Sequence, residues 1–421
     1  RRAAASAAGS AEAAAPPAEA EPPSATRPLL ALGGAAAFNC ILGSLYLWSV
    51  YLVGLQQELG ASRAALSAVF SLATTAFTTA SSVGLIVFGR APPAQLAAAV
   101  LAVAAFGLWF AGSTGELWGL YVGFGLLFGA CNGVGHGVSL RIGQSKMFES
   151  RKGMATGVLF AARASGTVLL APVAHAAVAQ YGALAALQIN GLAILAVGLP
   201  IYLALHVSNV NRALAPPKDK ARTSLAALRP HAATCLKFAG ILGLGAFSGL
   251  LAYGHAAPVL SARGAQTASL GVAVSAFSAV NAGARLVGGG LIDSLSARTC
   301  LMLSSAPAAV GLLIAAAMPG SVPAAMAGLC GSAATYGLLA TCLAVSVGRL
   351  LGQDLFATAY GAIFTSWGVA GIAGPVIGGL LYDFTQTYTL SLAIASICAA
   401  AAVACAAALP DDPTKEGDRC D

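Results

Sequence analysis

Long apolar runs, each about 20 residues in length, alternate with short polar segments over most of this chain. A run of that length is what an α-helix needs to cross the hydrocarbon core of a bilayer. The pattern predicts twelve membrane-spanning helices, six on each side of a polar segment at residues 207–233. The predicted spans are residues 29–54, 65–88, 92–112, 117–140, 154–178 and 183–206, followed by 234–260, 267–290, 299–319, 322–348, 357–382 and 388–409.

The composition excludes most other architectures. Of the 421 residues, 58% are hydrophobic and only 9% are charged, whereas a soluble globular chain carries about 25% charged residues. So few charges cannot cover a surface that faces water. The long apolar runs also differ from the short alternating segments of a transmembrane β-barrel. The expected fold class is therefore an all-α membrane protein with twelve transmembrane helices.

The chain divides into two halves with short polar ends. Residues 1–28 are rich in Ala, Pro, Glu and Ser without an apolar period, which is typical of a disordered tail. The predicted N-terminal half is 29–206, the basic linker is 207–233, the C-terminal half is 234–409, and the C-terminal tail is 410–421. Two six-helix halves suggest an internal repeat, as in many secondary transporters.

The distribution of basic residues predicts the orientation of the chain. Lys and Arg concentrate in loops on the cytoplasmic side of membrane proteins. If the N-terminus is cytoplasmic, the loops on that side hold twelve basic residues and those on the other side hold two. The twelve are Arg90, Arg141, Lys146, Arg151, Lys152, Arg298, Arg349 and the five of the linker, and the two are Arg63 and Arg263. Both termini are predicted to be cytoplasmic. We expect the plasma membrane, with an organelle membrane as the alternative.

Sequence motifs favour a carrier over an enzyme. The nine cysteines show no CxxC pair and no metal-ligand spacing, and we interpret the eight that lie in or beside apolar runs as small packing residues. The chain has no Gly-x-Ser-x-Gly, no His-Glu-x-x-His and no phosphate-binding loop. We therefore expect no metal and no cofactor. The net charge of +7 is explained by the basic cytoplasmic loops, so no nucleic-acid partner is expected.

A loop between the eighth and ninth spans carries the first family resemblance. It reads Gly289-Gly-Leu-Ile-Asp293-Ser-Leu-Ser-Ala-Arg298. This resembles the loop signature of the major facilitator superfamily, Gly-x-Leu-Ala-Asp-Arg-x-Gly-Arg. The resemblance implies that Gly289 allows close helix approach, while Asp293 and Arg298 help to close the cytoplasmic gate. The corresponding loop after the second span, residues 84–90, lacks the Asp.

Three further stretches resemble one branch of that superfamily. They are Gly43-Ser-Leu-Tyr46-Leu-Trp48 in the first span, Arg151-Lys-Gly-Met-Ala-Thr-Gly157 after the fourth, and Tyr360-Gly-Ala-Ile-Phe-Thr-Ser-Trp367 in the eleventh. The pattern is similar to the oxalate/formate antiporter family and the related monocarboxylate transporters over nearly all of residues 29–409. The resemblance implies the major facilitator fold, with two pseudo-symmetric halves, and transport of a small organic anion.

Arg285 is the first candidate for substrate binding. It precedes Asp293 by about eight residues, or roughly 12 Å of helix, which places it near the middle of the eighth span. A charge at that depth is costly and usually faces a cavity. The resemblance implies that Arg285 binds the substrate carboxylate, and a guanidinium can do so with two parallel hydrogen bonds. The alternative is a structural arginine bound to helix carbonyls.

Asn281 lies one turn before Arg285 on the same helix face. Proton-coupled monocarboxylate transporters typically have Asp at this position, and an amide carries no proton. The substitution argues against that mode of proton coupling and leaves Arg285 without a local counter-ion. The alternative is that Asn281 forms a hydrogen bond between helices.

Trp367 and Arg163 bear on the charge of the substrate. Trp367 aligns with a lysine that, in bacterial oxalate carriers, helps to neutralise a dicarboxylate, so its presence argues against oxalate itself. Residues 157–163 match residues 361–367, which places Arg163 where Trp367 lies in the other half. We expect Arg163 and Arg285 to face one central cavity, which would admit a dianion. The alternative is that Arg163 binds carbonyls near the loop after the fourth span.

Several aromatic residues are candidates for the cavity wall. Tyr46 and Trp48 offer apolar surface with a polar group, and Tyr360 and Tyr336 are further candidates. Packing in the helix bundle is the alternative for each. His136, among three glycines, is either a proton site or a neutral structural histidine.

These observations predict a secondary transporter whose two halves rock about a central anion site. The expected substrates are small carboxylates such as formate, oxalate, lactate or pyruvate, moved by anion exchange. Proton-coupled monocarboxylate symport and transport of another small polar solute are the alternatives. We expect a monomer whose partners are the substrate and the lipid bilayer.

Overall fold

The computed structural model describes residues 26–87, 91–143, 145–148, 152–214 and 225–410. Within these ranges the only regular secondary structure is helical. Helices are the expected solution for a chain in lipid, because each helix satisfies its own backbone hydrogen-bonding groups. The termini predicted to be tails lie mostly outside the described residues.

Twelve described helices are long and apolar enough to cross a membrane, as the apolar runs predict. We number them α1 to α12 in chain order. In the first half they are α1 (Thr26–Leu42, a 3₁₀ segment Gly43–Leu47, and Trp48–Leu59), α2 (Arg63–Val87), α3 (Pro93–Ser113), α4 (Leu117–Leu120, a π segment Tyr121–Phe128, and Gly129–Gly143), α5 (Lys152–Tyr181) and α6 (Ala183–Val207). In the second half they are α7 (Ala232–Ser261), α8 (Leu270–Ser294), α9 (Ala297–Ala317), α10 (Val322–Leu351), α11 (Gln353–Thr385) and α12 (Thr389–Ala407).

Several helices are longer than the predicted spans. The polar residues that follow an apolar run can also form helix, so the helix extends beyond the hydrocarbon core. The helical segments of α1 continue to Leu59, five residues beyond the predicted end, and stop at Gly60, whose φ is +60°. Such a left-handed residue is a common helix terminator. The predicted linker also contains ordered pieces, a short helix Val210–Ala213 and a 3₁₀ segment Leu225–His231.

The packing of the first six helices is repeated by the last six. Helix α1 packs against α5, α2 against α4 and α3 against α6. The corresponding helices of the second half form the same pairs, namely α7 with α11, α8 with α10 and α9 with α12. The two halves meet through α2 with α11, α5 with α8, and α1 with α7. The predicted fold class is confirmed.

The backbones of α5 and α1 are in close contact where the two helices cross. A Cβ atom at Gly43 would collide with the carbonyl oxygen of Arg163, and one at Gly166 would collide with the carbonyl oxygen of Cys40. The hydroxyl of Thr167 also donates to the carbonyl of Gly43 at 3.0 Å. Small residues are typical of such close helix crossings in membranes. The crossing fixes how deep Arg163 lies relative to α1.

This crossing predicts that Gly166→Ala destabilises the protein, by about 1–3 kcal/mol for an overpacked site. Gly157→Ala is the matched control, because Gly157 lies on the same helix with open space beside it. In a helix interior, Ala is more favourable than Gly by roughly 0.5–1 kcal/mol, so the control is expected to be neutral or stabilising. Thermal unfolding of both variants in detergent checks this, and equal midpoints would contradict it.

Candidate substrate cavity

A cavity lies between the two halves, about midway along the helices. Its volume is about 80 Å³, compared with the roughly 10–15 Å³ that one water molecule requires. It is therefore large enough for several waters or a small polyatomic ion. Its polar lining comes from both halves and consists of Tyr46, His136, Arg163, Arg285, Tyr336, Tyr360 and Trp367.

Arg163 enters the cavity from α5 and is only 4% exposed. Its Nε donates to Asn39 Oδ1 of α1 at 3.3 Å, and its Nη1 donates to Asn132 Oδ1 of α4 at 2.8 Å. Asn39 is held in turn, because its amide nitrogen donates to Ser139 Oγ at 2.6 Å. The third nitrogen, Nη2, has no hydrogen-bond partner among the described residues. A buried donor of this kind is costly unless a ligand or water accepts from it.

Arg285 enters the cavity from α8 and is half-buried. Its Nε donates to Asn281 Oδ1 at 3.0 Å, and the Asn281 amide nitrogen donates to the hydroxyl of Tyr253 on α7. The guanidinium carbon lies 5.8 Å from the ring centroid of Tyr336, within the range of a cation–π contact. The bond to Asn281 fixes the direction of the guanidinium without using its two terminal nitrogens.

The two arginines are oriented in the same way, one in each half. In both cases an asparagine oxygen accepts from Nε, at 3.3 Å for Arg163 and 3.0 Å for Arg285. An amide orients a guanidinium but does not neutralise it. No carboxylate is found among the described residues that line the cavity. The cavity therefore carries two positive charges whose field favours an anion.

Aromatic side chains form a wall that joins the halves. The hydroxyls of Tyr46 on α1 and Tyr336 on α10 lie 3.3 Å apart, and Trp367 Nε1 of α11 donates to Tyr336 Oη at 3.0 Å. The ring of Tyr46 also packs on Tyr253, with centroids 4.4 Å apart. This wall places hydrogen-bonding groups and apolar surface on one side of the cavity, an arrangement typical of small-molecule sites.

His136 of α4 lies in the same cavity, held between two phenylalanine rings. Its ring stacks on Phe160 with centroids 5.1 Å apart and 12° between the planes. The ring of Phe77 lies 5.5 Å away on α2 and also lies 5.8 Å from the guanidinium carbon of Arg163. The imidazole is therefore fixed by apolar contacts close to a buried positive charge.

The structure brings together most of the predicted substrate contacts. Arg163, Arg285, Tyr46, Tyr360 and Trp367 all line the cavity. Asn281 is completely buried behind Arg285 and bonds to it.

Trp48 does not line this cavity. It is completely buried and packs against Phe124, with ring centroids 4.5 Å apart. Residues two apart on a helix do not share a face, and Tyr46 and Trp48 are separated by two positions. Tyr46 therefore points toward the second half while Trp48 points into the first.

The predicted gating residues lie at the ends of α8 and α9, on the side of the chain termini. Gly289 has open space beside it, and Arg298 is half-buried at the start of α9. The side chain of Asp293 lies outside the described part of the structure. The role of these residues in closing that side stays a prediction.

The opposite side of the cavity is closed by a contact between the halves. The Asp383 carboxylate, near the end of α11, accepts from the backbone N–H of Arg63 at 3.3 Å and of Ala64 at 2.9 Å. These are the first residues of α2. A carboxylate at a helix N-terminus is stabilised by the unpaired N–H groups and the helix dipole. Asp383 therefore caps a helix of the other half.

The side chain of Arg63 strengthens this closure. Its Nη1 donates to the hydroxyl of Tyr388 at 3.0 Å, and its guanidinium carbon lies 3.6 Å from the ring centroid of Tyr382. The Tyr388 hydroxyl in turn lies 3.0 Å from His255 Nδ1.

The closure extends along α2 and α11 as far as the cavity. Ser71 donates to the carbonyl of Ile372 at 3.1 Å, and the rings of Phe77 and Trp367 lie 5.2 Å apart where the cavity begins. On the other pair of helices, Ser275 of α8 donates to the carbonyl of Val168 of α5 at 2.7 Å. The cavity is therefore separated from the side opposite the termini.

Two six-helix halves around a central cavity form an arrangement found in many secondary transporters. The family model of the Major Facilitator Superfamily matches residues 242–419, which lie in the second half and the C-terminal end. This part of the chain therefore resembles the transporters of that superfamily.

Two known proteins illustrate the similarity. Human monocarboxylate transporter 11 (Homo sapiens) is 28% identical over 347 residues, covering 77% of this chain and 70% of that protein. A crystal structure of a bacterial homologue of the human lysosomal transporter Spinster, in an inward-facing and unoccupied conformation, matches with a TM-score of 0.71. It is 14% identical and covers 91% of this chain and 98% of that chain, a likeness that shows the fold.

Some residues of the cavity were not predicted from the sequence. Asn39 and Asn132 hold Arg163 from two other helices, and no local pattern relates residues so distant in sequence. Polar residues inside apolar spans are a signal in themselves, because they usually find a partner in the bundle. The aromatic pair Phe77 and Phe160 gives no comparable signal.

The closure predicts that Asp383→Asn weakens the contact between α11 and α2. A helix cap is worth about 1 kcal/mol, which corresponds to roughly a fivefold change in a conformational equilibrium. Spin labels at Gln57 and Gln386 in a cysteine-free background would report the separation of the halves on this side. We expect a new population at longer distance in the variant.

Glu58→Gln is the matched control for this measurement. The Glu58 carboxylate caps α6, accepting from the backbone N–H of Leu184 at 3.1 Å, but α1 and α6 belong to the same half. This variant should lower the unfolding temperature without changing the distance between the labels. An unchanged distance in Asp383→Asn would show that the cap does not hold the halves together.

Proposed function

We propose that this protein is a secondary transporter of small organic anions, with Arg285 as the residue that binds the substrate carboxylate. The observation that carries the proposal is the pair of guanidinium groups in one buried cavity between the halves. Because no described lining residue is a carboxylate, an incoming anion would supply the missing negative charge. The similarity to a protein named monocarboxylate transporter 11 supports the same class of substrate.

The geometry of Arg285 suits a carboxylate. With Nε bonded to Asn281, the two terminal nitrogens are left to form paired hydrogen bonds with a planar anion. The hydroxyls of Tyr46 and Tyr336 in the adjoining wall are available for a second polar group of the substrate. A cavity of about 80 Å³ favours a small molecule such as formate, oxalate, lactate or pyruvate.

Arg163 gives the site a second cation from the other half. Its unpartnered Nη2 is the kind of donor that a second acidic group could satisfy. A bound dianion would then contact both halves at once. A monoanion would satisfy Arg285 and leave Arg163 to a polar group or water.

Transport would proceed by alternating access of this one cavity. If the termini are cytoplasmic, as the basic loops predict, the closure formed by Asp383 and Arg63 lies on the outer side. Opening to the other side would require Asp383 to leave the N-terminus of α2. The loop with Gly289, Asp293 and Arg298 would then help to close the cytoplasmic side.

Anion exchange is the favoured mode of transport. An empty cavity with two positive charges must cross a low-dielectric core to reset the carrier, and unpaired buried charge is costly. An anion bound at that moment compensates the charge. A carrier loaded with a dianion should therefore reorient faster than the empty one.

Arg285→Gln is predicted to abolish anion uptake. Purified protein in liposomes would be preloaded with formate, oxalate, lactate or pyruvate and supplied with the labelled anion outside. Hydrogen bonds to charged groups are worth about 1.5–3 kcal/mol each, so loss of a bidentate contact should reduce uptake at least tenfold. Arg285→Lys keeps the charge but loses the planar fork and should retain partial activity.

Arg263→Gln is the control for removing a basic residue. Arg263 lies outside the cavity, where its Nη2 donates to the carbonyl of Ala315 at 2.7 Å. Uptake in this variant should match the parent. If the folded parent moves none of these anions, or if Arg285→Gln transports normally, the proposal is wrong.

Arg163→Gln is predicted to discriminate between anions of different charge. Removal of the second cation should reduce uptake of a dianion such as oxalate by roughly tenfold or more, and uptake of formate much less. Initial rates with both labelled anions at equal concentration would measure the ratio. If the uptake rates of both anions fall equally, Arg163 has a structural role and does not bind the second charge of the substrate.

A further inference from the structure

We propose that His136 takes up one proton when an anion binds, so that proton binding and anion binding in this cavity favour each other. The inference rests on the proposed function, since it concerns the same site. It begins from an inventory of the groups around the imidazole. Among the described residues that line the cavity, the titratable or charged ones are Arg163, Arg285 and His136, with the phenols of Tyr46, Tyr336 and Tyr360.

His136 is the member of this set whose ordinary titration falls between pH 5 and 8. Arginine and tyrosine side chains ordinarily titrate well above this range. The pH dependence of the cavity in that range therefore depends on His136. Asn281 and the two asparagines that hold Arg163 cannot contribute, because amides do not titrate.

The position of His136 makes its charge depend on the ligand. It shares the cavity with two guanidinium groups, and the Phe77 ring lies against both its imidazole and the Arg163 guanidinium. Adding a third positive charge to the empty cavity is opposed by repulsion in a poorly solvated environment. A bound anion offsets that repulsion, so the protonated imidazole becomes favourable when the anion is present.

The surroundings also allow the proton to arrive and leave. The imidazole is held by ring contacts with Phe160 and Phe77, and neither of its nitrogens has a hydrogen bond to a described residue. It is half-buried at the cavity lining, so a water in the cavity can reach it. One N–H bond forms at the unprotonated ring nitrogen with a proton that hydronium delivers from the solution, leaving water, and the proton returns to solvent water when the anion leaves.

The coupling must be reciprocal. If an anion increases the proton occupancy of His136, the proton increases the affinity for the anion by the same factor. Anion affinity should therefore fall as the pH rises through the range in which the complex loses its proton. One linked proton gives a change of up to tenfold in Kd per pH unit. His136 thus replaces, from the other half, the proton function that Asn281 cannot perform.

The test is the number of protons taken up per anion bound. Titration calorimetry of the purified full-length protein with oxalate or pyruvate, in buffers of different ionisation enthalpy, gives this number directly. Carboxylates with ordinary pKa values near 4 stay ionised above pH 5.5, so a proton taken up is bound by the protein. We expect an uptake approaching one proton near pH 6.5, together with a Kd that rises with pH.

Three histidine variants assign the proton. His136→Gln should bind the anion with no proton uptake and with a Kd that does not change with pH. His206→Gln should behave like the parent, because His206 stacks on Tyr202 near the end of α6, away from the cavity. His255→Gln tests the histidine of the closure. If uptake is lost in His255→Gln and kept in His136→Gln, the proton belongs to the closure and the proposal is overturned.

The remaining outcomes separate this inference from the proposed function. Anion binding without proton uptake in the parent overturns the role of His136 and leaves the anion site intact. Absence of binding and of transport for all four anions overturns both. If His136→Gln fails to fold, His136→Asn provides the same comparison, and Phe160→Leu, which removes the stacking contact and keeps the imidazole, should retain the proton uptake.

Discussion

Two guanidinium groups at the centre of an apolar helix bundle are the constraint on which this structure depends. Lipid supplies no partner for a charge, so the bundle must provide groups that orient the arginines. It does so with amides, which accept a hydrogen bond from Nε and leave the charge in place. Carboxylates would have stabilised the cavity more strongly, but they would also have competed with an anionic ligand. The cavity therefore keeps two positive charges that no described lining residue neutralises.

On the side opposite the termini, in contrast, the charged groups are bound by other groups of the protein. There a carboxylate, Asp383, meets a helix N-terminus, and Arg63 is surrounded by tyrosines. The Asp383 carboxylate and the Arg63 guanidinium find partners across the boundary between the halves. The two clusters have different consequences: satisfied charges hold the halves together on one side, while unsatisfied charges between them attract a ligand. A carrier needs both, because closure on one side must coexist with binding in the middle.

The sequence predicts the helices well because the bilayer imposes a length that an apolar run must match. It also predicts that Arg163, Arg285 and Trp367 lie at a similar depth in the bilayer, since the distance of each residue from its helix end can be counted. Helix faces are harder to predict. Tyr46 and Trp48 point in different directions although they are two residues apart. The partners of Arg163, Asn39 and Asn132, depend on how α1, α4 and α5 cross, and that crossing rests on backbone contact at Gly43 and Gly166.

The π segment at Tyr121–Phe128 has a consequence for how the site is encoded. A π turn contains an additional residue, and each residue turns an α-helix by about 100°. Asn132 and His136 lie beyond this segment on α4. Deleting a single residue within it would keep both side chains in the sequence yet rotate them away from Arg163 and the cavity. The spacing of this apolar stretch therefore determines which polar groups face the cavity, although the stretch itself does not line it.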